Sequence, residues 1–435
     1  MTDTEFWQDR LEQANSLDAA DEIAGFRDGF FLPELNGNPV TYFLGNSLGL
    51  MPRQTPAAIQ MELNKWAAIA SEGHFQGQFP WVSFHEPLAA PMAGLIGANT
   101  DEVIMMNTLT VNLHLMMATF YRPQQHRSLI LIEDHAFPSD QYAADSQAMW
   151  HGWDRYQAVL RMKPDQGQLF STEHICQTIV DHADELALVL LPGVQYYTGQ
   201  VLDIKTITET AHRFEIPVGF DLAHAVGNVE LELHQWNVDF AVWCTYKYLN
   251  SGPGAIAGCF IHRRHASNID LPRLAGWWGH DKSTRFLMGD QFSPIPTAEG
   301  WQLSNPPIFS LAPVRTSLDL FQQAGGMEKL QIKTRRMQCF FRELLDQRLH
   351  DRVTVIAPVE ISGCQLSLEF GSQNNVSAKS IFQRLNELGF RVDWREPNVI
   401  RVAPTPLYNR FQDIWLFVKQ LEQLLKTNAD TDCSN

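Results

Sequence analysis

Between residues 128 and 261 the chain repeats one arrangement, a short run of continuous apolar residues followed by a longer amphipathic stretch. Ser128-Leu129-Ile130-Leu131-Ile132-Glu133 is one such run, and Leu186-Ala187-Leu188-Val189-Leu190-Leu191 is another. Pro217-Val218-Gly219-Phe220-Asp221, Phe240-Ala241-Val242-Trp243-Cys244 and Ala257-Gly258-Cys259-Phe260-Ile261 continue the series. Strands without alternating polar positions are covered on both faces, and helices supply the cover. Helical patterning fills Ser139 to Trp150, Ser171 to Glu185 and Ile204 to Glu215. The pattern predicts an α/β layered domain around a mostly parallel sheet.

After about residue 310 the texture changes. A long helical stretch from Leu311 to Asp346 is broken near Gly325-Gly326. Strands are predicted at Val353 to Ile356, Gln365 to Phe370 and Asn398 to Val402, with helices at Ala378 to Leu388 and Arg410 to Lys426. This reads as a smaller C-terminal α+β domain. The division is an N-terminal segment, 1–50, packing with the small domain, a large domain over 51–310 and the small domain over 311–435. The polar end, Thr427 to Asn435, reads as frayed.

Lys247 is the first residue that asks for a chemical explanation. It follows the apolar run at 240–244 and precedes Ser251-Gly252-Pro253-Gly254, a glycine-rich stretch that lets backbone pass close to another group. A buried ammonium is costly unless it is paired, deprotonated or used covalently. Lysines at such addresses are candidates for Schiff-base chemistry. The alternative is a lysine past a strand end with its head in water. Asp221 also ends an apolar strand, and strand carboxyl ends face the ligand crevice of a parallel sheet. A carboxylate there suits a cation such as a protonated pyridine nitrogen, the arrangement that turns the ring into an electron sink. Its alternative is to cap a helix starting at Leu222-Ala223-His224-Ala225.

Asn107-Thr108-Leu109-Thr110 precedes a helical stretch and offers hydroxyls and N–H groups to an anion, or plain helix capping. Phe137, before Pro138-Ser139-Asp140, follows a strand and is placed to lie over a flat ring. The chain carries no Gly-x-Gly-x-x-Gly, no Gly-x-x-x-x-Gly-Lys-Ser/Thr and no Gly-x-Ser-x-Gly, which disfavours nicotinamide, nucleoside triphosphates and an esterase elbow. The net charge of −16 is spread without blocks, so nucleic acid is not an expected partner. With neither a signal-like start nor a spanning apolar stretch, the expectation is a cytoplasmic protein off the membrane. The six cysteines (176, 244, 259, 339, 364 and 433) are scattered and read as reduced. His262 and His265 flank two arginines, Arg263 and Arg264, with no acid nearby in sequence, so no metal is expected.

Seven stretches, in order, resemble the kynureninases, pyridoxal-phosphate enzymes of the aspartate-aminotransferase-like fold. They are Tyr42-Phe43-Leu44-Gly45-Asn46-Ser47-Leu48-Gly49-Leu50, Phe137-Pro138-Ser139-Asp140, Gly219-Phe220-Asp221-Leu222-Ala223-His224-Ala225-Val226-Gly227-Asn228, Tyr246-Lys247-Tyr248-Leu249-Asn250, Gly276-Trp277-Trp278-Gly279-His280, Ser304-Asn305-Pro306-Pro307 and Ile400-Arg401-Val402-Ala403-Pro404. The resemblance implies a seven-stranded sheet of the fold type I class, pyridoxal 5'-phosphate as cofactor, and a homodimer sharing its sites. By the same resemblance Lys247 holds the cofactor, Asp221 pairs with its ring nitrogen, His224 sits beside the ring and Phe137 stacks on it. Leu109, Thr110, Pro138, Ser139, Asp140 and Tyr246 match further cofactor positions, several around the phosphate. Trp277 and Asn305 match positions reaching across a dimer interface. Arg401 matches the arginine that grips the substrate α-carboxylate from the small domain, and Ser47, His74 and Asn305 match positions near the substrate's aromatic end. Pro192 departs from a family serine or threonine and has neither hydroxyl nor N–H to offer.

The activity implied is hydrolytic cleavage of L-kynurenine or 3-hydroxykynurenine to L-alanine and an anthranilate, in tryptophan breakdown or nicotinamide cofactor synthesis. Tyr246 is the candidate proton carrier for carbon–carbon cleavage. One rival is a cysteine desulfurase of the same fold, which needs a cysteine on a mobile loop; Cys364, the one candidate, begins a predicted strand. The other is a silent cofactor-binding relative, which would have little reason to keep Lys247, Asp221 and Arg401 together.

Overall fold

Each of the five apolar runs becomes a strand. The computed structural model describes residues 2–371 and 377–431, so Cys433 and the end of the polar tail lie outside the described residues. Seven strands form one sheet: β1 (Val103–Met105), β2 (Leu129–Glu133), β3 (Val159–Met162), β4 (Leu186–Pro192), β5 (Val218–Asp221), β6 (Phe240–Trp243) and β7 (Gly258–Ile261). Their spatial order is β1-β7-β6-β5-β4-β2-β3. Strands β3, β2, β4, β5 and β6 run parallel, and β7 runs antiparallel to both β1 and β6. Every residue of β5, β6 and β7 is buried, the signature of a sheet covered on both faces. Gly219 in β5 is required by packing, because a Cβ there would lie 2.0 Å from the Phe240 ring.

The expectations from sequence omitted β1 and β3. The first has only three residues. The second is an edge strand whose half-exposed Leu160 and Arg161 interrupt the apolar run, with Arg161 donating to Asp145 at 2.6 Å.

The chain divides into two compact units. One comprises Gln54–Tyr196 and Val201–Asp319 and contains the seven-stranded sheet; the other comprises Met1–Arg53, Tyr197–Gln200 and Leu320–Asn435. In the second unit β8 (Val353–Val355), β9 (Leu366–Phe370), β10 (Asp393–Arg395) and β11 (Val399–Val402) form an antiparallel sheet in the order β8-β9-β11-β10. Its core joins Leu366, Leu368, Ile400 and Val402 to Phe341 and Phe417 of the helices Gly326–Leu349 and Phe411–Thr431. The last helix runs further than the sequence pattern placed it. An N-terminal helix, Asp3–Ala19, opens with a capping box between Thr2 and Glu5 and buries Trp7, whose Nε1 donates to Glu422 at 3.0 Å.

Candidate active site

The carboxyl ends of β2, β4, β5 and β6 bring chemistry-bearing residues together in the larger unit. Asp221 ends β5 and is buried. One of its oxygens accepts the Ala223 N–H at 2.7 Å. Residues 223–228 form turns and not the helix that a capping aspartate would begin. The capping alternative is therefore half right, since Asp221 fixes a turn. Its carboxyl also hydrogen-bonds that of Asp140, a residue of the first turn of the helix Pro138–Trp150. Burial raises both acids, and Asp140 further, because the Asp221 charge adds to its desolvation. Asp140 thus keeps its proton and donates it to Asp221, which keeps the charge.

Lys247 stands in the turn after β6. Contrary to the reading of a buried ammonium, its side chain is half-buried, because the strand ends at Trp243 and the turn lifts it out of the core. Its Nζ lies 2.8 Å from His224 Nε2 and 5.9 Å from the centre of the Phe137 ring. The ammonium also helps hold Asp221 ionised. Phe137 sits edge-on to Tyr196 at 5.3 Å and keeps 44% of its surface open, enough to receive a flat ring. Tyr246 is half-buried; burial raises its hydroxyl, which is hydrogen-bonded to Cys244.

Gly252 and Gly254 have φ of +87° and +72°, with nothing within 4 Å of where a Cβ would stand. Their left-handed backbone conformation by itself favours glycine.

Two helices begin beside this cluster with no side-chain cap. Leu109–Phe120, which carries Leu109 and Thr110 in its first turn, follows Thr108; Pro138–Trp150, which carries Pro138 and Ser139, follows Phe137. Uncapped N–H groups at two helix starts form a setting for an anion. The donors thus fit pyridoxal phosphate: an amine for its aldehyde, a buried carboxylate for its ring nitrogen, an open aromatic face and anion-binding helix starts. Pro192, the residue paired with Asp221 across β4 and β5, supplies none of these contacts.

The remaining predicted residues are more dispersed. His74 packs edge-on against Trp81 at 5.3 Å. Trp277 donates through Nε1 to the Arg285 carbonyl at 3.1 Å and leaves 44% of its surface open beside the exposed Phe286. Asn305 is exposed and accepts from Ser304 Oγ at 3.2 Å. In the smaller unit, Ser47 is exposed in a turn. Arg401, on β11, is almost wholly buried and ion-paired with Asp393. Cys364 is buried, and burial pushes its thiol up to about 12, the opposite of a reactive thiolate.

The premise about His262 and His265 also needs correction, because folding brings acids that sequence proximity did not reveal. His262 lies 3.8 Å from Glu102, which also pairs with His234 at 2.9 Å, and His265 lies 2.6 Å from Asp239. Glu102 already accepts the Asn99 and Arg263 N–H groups, each at 2.8 Å, and His262 Nδ1 accepts that of Arg264. These donors are occupied in joining loops. Glu133, buried at the end of β2 and within electrostatic reach of Asp221 and Asp140, was passed over in the sequence; an acid closing an apolar run, as Asp221 does, was the available signal.

A family profile described as "Kynureninase C-terminal domain" matches residues 330–421. Over 97% of its length the chain is 50% identical to a protein of Myxococcus xanthus named "Kynureninase", covering 99% of that protein. It is 49% identical over 95% of its length to a "Kynureninase" of Xanthomonas euvesicatoria pv. vesicatoria, covering 98% of it. Among solved structures, the Escherichia coli cysteine desulfurase CsdA superposes with a TM-score of 0.75 at 16% identity, over 93% of this chain and 99% of that one. The C-DES mutant K223A with glycine covalently linked to its PLP cofactor superposes with a TM-score of 0.73 at 19% identity, over 91% and 98%. These two likenesses concern the fold.

Proposed function

The chain belongs to the kynureninase family, and from that membership we propose that its site uses pyridoxal 5'-phosphate to cleave L-kynurenine, 3-hydroxykynurenine or both to L-alanine and the corresponding anthranilate. The observation that carries the reading is the approach of Lys247 Nζ to His224, 2.8 Å apart, beside the buried Asp221–Asp140 pair. When bound, the cofactor supplies an electron sink that makes the substrate's α-proton removable.

The chain's own residues do the rest. Lys247 would hold the cofactor through its amine, and its Nζ would take the substrate's α-proton. His224 holds that nitrogen by a hydrogen bond. Asp221 would keep the ring nitrogen protonated, and Asp140 keeps Asp221 charged by giving it a hydrogen bond. Phe137 would cover one ring face, and the helix starts at Leu109-Thr110 and Pro138-Ser139 would hold the phosphate. Arg401 receives the substrate α-carboxylate, turning part of its fork from Asp393; Ser47, His74 and Asn305 border the aromatic end. Water adds to the side-chain ketone, the Cβ–Cγ bond breaks, and Tyr246 Oη carries the proton for that cleavage. We further propose a cytoplasmic homodimer in which Trp277 and Asn305 reach the neighbouring copy's site; the open apolar surface at Trp277, Phe286 and Met288 supports this.

The desulfurase alternative is disfavoured by the buried, raised thiol of Cys364. The test is anthranilate fluorescence with kynurenine, and with 3-hydroxykynurenine, on the purified protein. Product from at least one substrate is expected, and none from either would overturn the proposal.

A further inference from the structure

Glu133 ends β2 as Asp221 ends β5, and it is buried. Its Oε1 accepts from Gln195 Nε2 at 3.3 Å, and the same amide lies 3.4 Å from the His135 carbonyl. Gln195 therefore ties the carboxyl to the turn that leads to Phe137. Oε2 is enclosed with no hydrogen-bond partner among the described residues. The charge that acts on Glu133 comes from an acid, Asp221 on β5, and Glu133 acts in turn on Asp140, on the helix after Phe137. Lys247 acts on Asp221. Asp134 and His135, next along the chain, have side chains 30% and 76% exposed and pair with each other. A carboxylate enclosed without a cation is so costly that the group takes up a proton instead.

We propose that Glu133 is a positioning residue of the active site, a neutral acid that backs the Asp221–Asp140 pair so that the three carboxyls together carry one negative charge, that of Asp221. This inference rests on the reading of Asp221 as the partner of the cofactor's ring nitrogen. One charge is what a single ring N–H⁺ neutralises. Ionising Glu133 adds a second charge that no group in this wall compensates. Burial pushes the Glu133 carboxyl up to about 8, so that ionisation falls within reach of ordinary buffers.

The sign follows from linkage. An acid whose folded-state value lies above its unfolded one binds a proton in the native state and not in the unfolded state over the interval between them. Stability therefore falls as pH rises from the ordinary carboxylate range to about 8. Glu133→Gln, which mimics the neutral acid, removes this slope.

The test follows the thermal midpoint from about pH 6 to about pH 9, in holoenzyme and in cofactor-stripped protein, together with the visible band of the bound cofactor. We expect a fall in the wild-type midpoint that Glu133→Gln reduces by about half or more. We also expect a spectral step near pH 8 in the wild type that the variant lacks. Gln195→Leu, which removes the donor that favours the ionised form, moves that step to higher pH and serves if Glu133→Gln does not fold. Identical slopes and an unmoved step in the variants overturn the role of Glu133. Failure of any chromophore to form contradicts the function proposed above, and the cofactor-free slope still decides whether Glu133 is neutral.

Discussion

At the residue scale the site depends on which carboxyl holds which proton. Asp221 and Asp140 share a hydrogen bond with the proton on Asp140, so the two are not interchangeable. Asp221→Asn removes the charge that holds a ring nitrogen protonated. We expect kcat/KM to fall about 100-fold, the loss of roughly 3 kcal/mol of charge-assisted bonding, with weaker cofactor retention on dialysis. Asp140→Asn keeps a donor toward Asp221, whereas Asp140→Ala does not. Steady-state kinetics should therefore rank wild type above Asn and Asn above Ala; equal losses would mean that the shared hydrogen bond has no role. Lys247 and Asp221 were legible in the sequence because each interrupts an apolar run with a charge. Asp140's tie to Asp221 was not, since two residues far apart in the chain meet only when the helix after β2 packs at the end of β5. The half-exposure of Lys247 was also hidden, because the apolar run before it gave no sign of where the strand stops.

At the element scale, long apolar runs were legible as buried strands and short or edge strands were not. The runs set between longer amphipathic stretches became β2, β4, β5, β6 and β7, whereas β1 is only three residues long and charges interrupt β3 and β10. The N-terminal helix was readable in principle, since Thr2 and Glu5 have capping-box spacing. Asp239, at the start of β6, joins several elements. It accepts from His212 at 2.8 Å, His265 at 2.6 Å, Arg264 at 2.6 Å and the Val218 N–H at 2.7 Å. These partners outweigh its burial and hold its carboxyl far below the usual range. A depressed acid contributes stability that is present above its unfolded value and lost as pH falls through the acid range. Asp239→Ala should cost about 3 kcal/mol, at the low end for a buried pair because Arg264 and both histidines keep part of their surface in water. Urea denaturation at neutral and at acid pH checks this: the gap between variant and wild type narrows as the pH is lowered.

At the scale of the whole molecule, the seven-stranded fold is shared with cysteine desulfurases at 16% identity, so architecture alone does not select a reaction. The choice of bond to break rests with residues placed on that architecture, and here the relatives at about 50% identity share the sequence across nearly its full length. Further outcomes belong to this scale. Sedimentation should give twice the 49.5 kDa of one chain, and introducing charge at Phe286 should weaken that association. Tyr246→Phe should lower turnover while leaving cofactor binding intact; full turnover would remove Tyr246 from the cleavage step. Most directly, borohydride reduction of the holoenzyme followed by peptide mass spectrometry tests whether Lys247 is the covalent anchor. The predicted result is a pyridoxyl phosphate group on the peptide containing Tyr246-Lys247-Tyr248, lost in Lys247→Ala. A label on any other lysine would contradict the account.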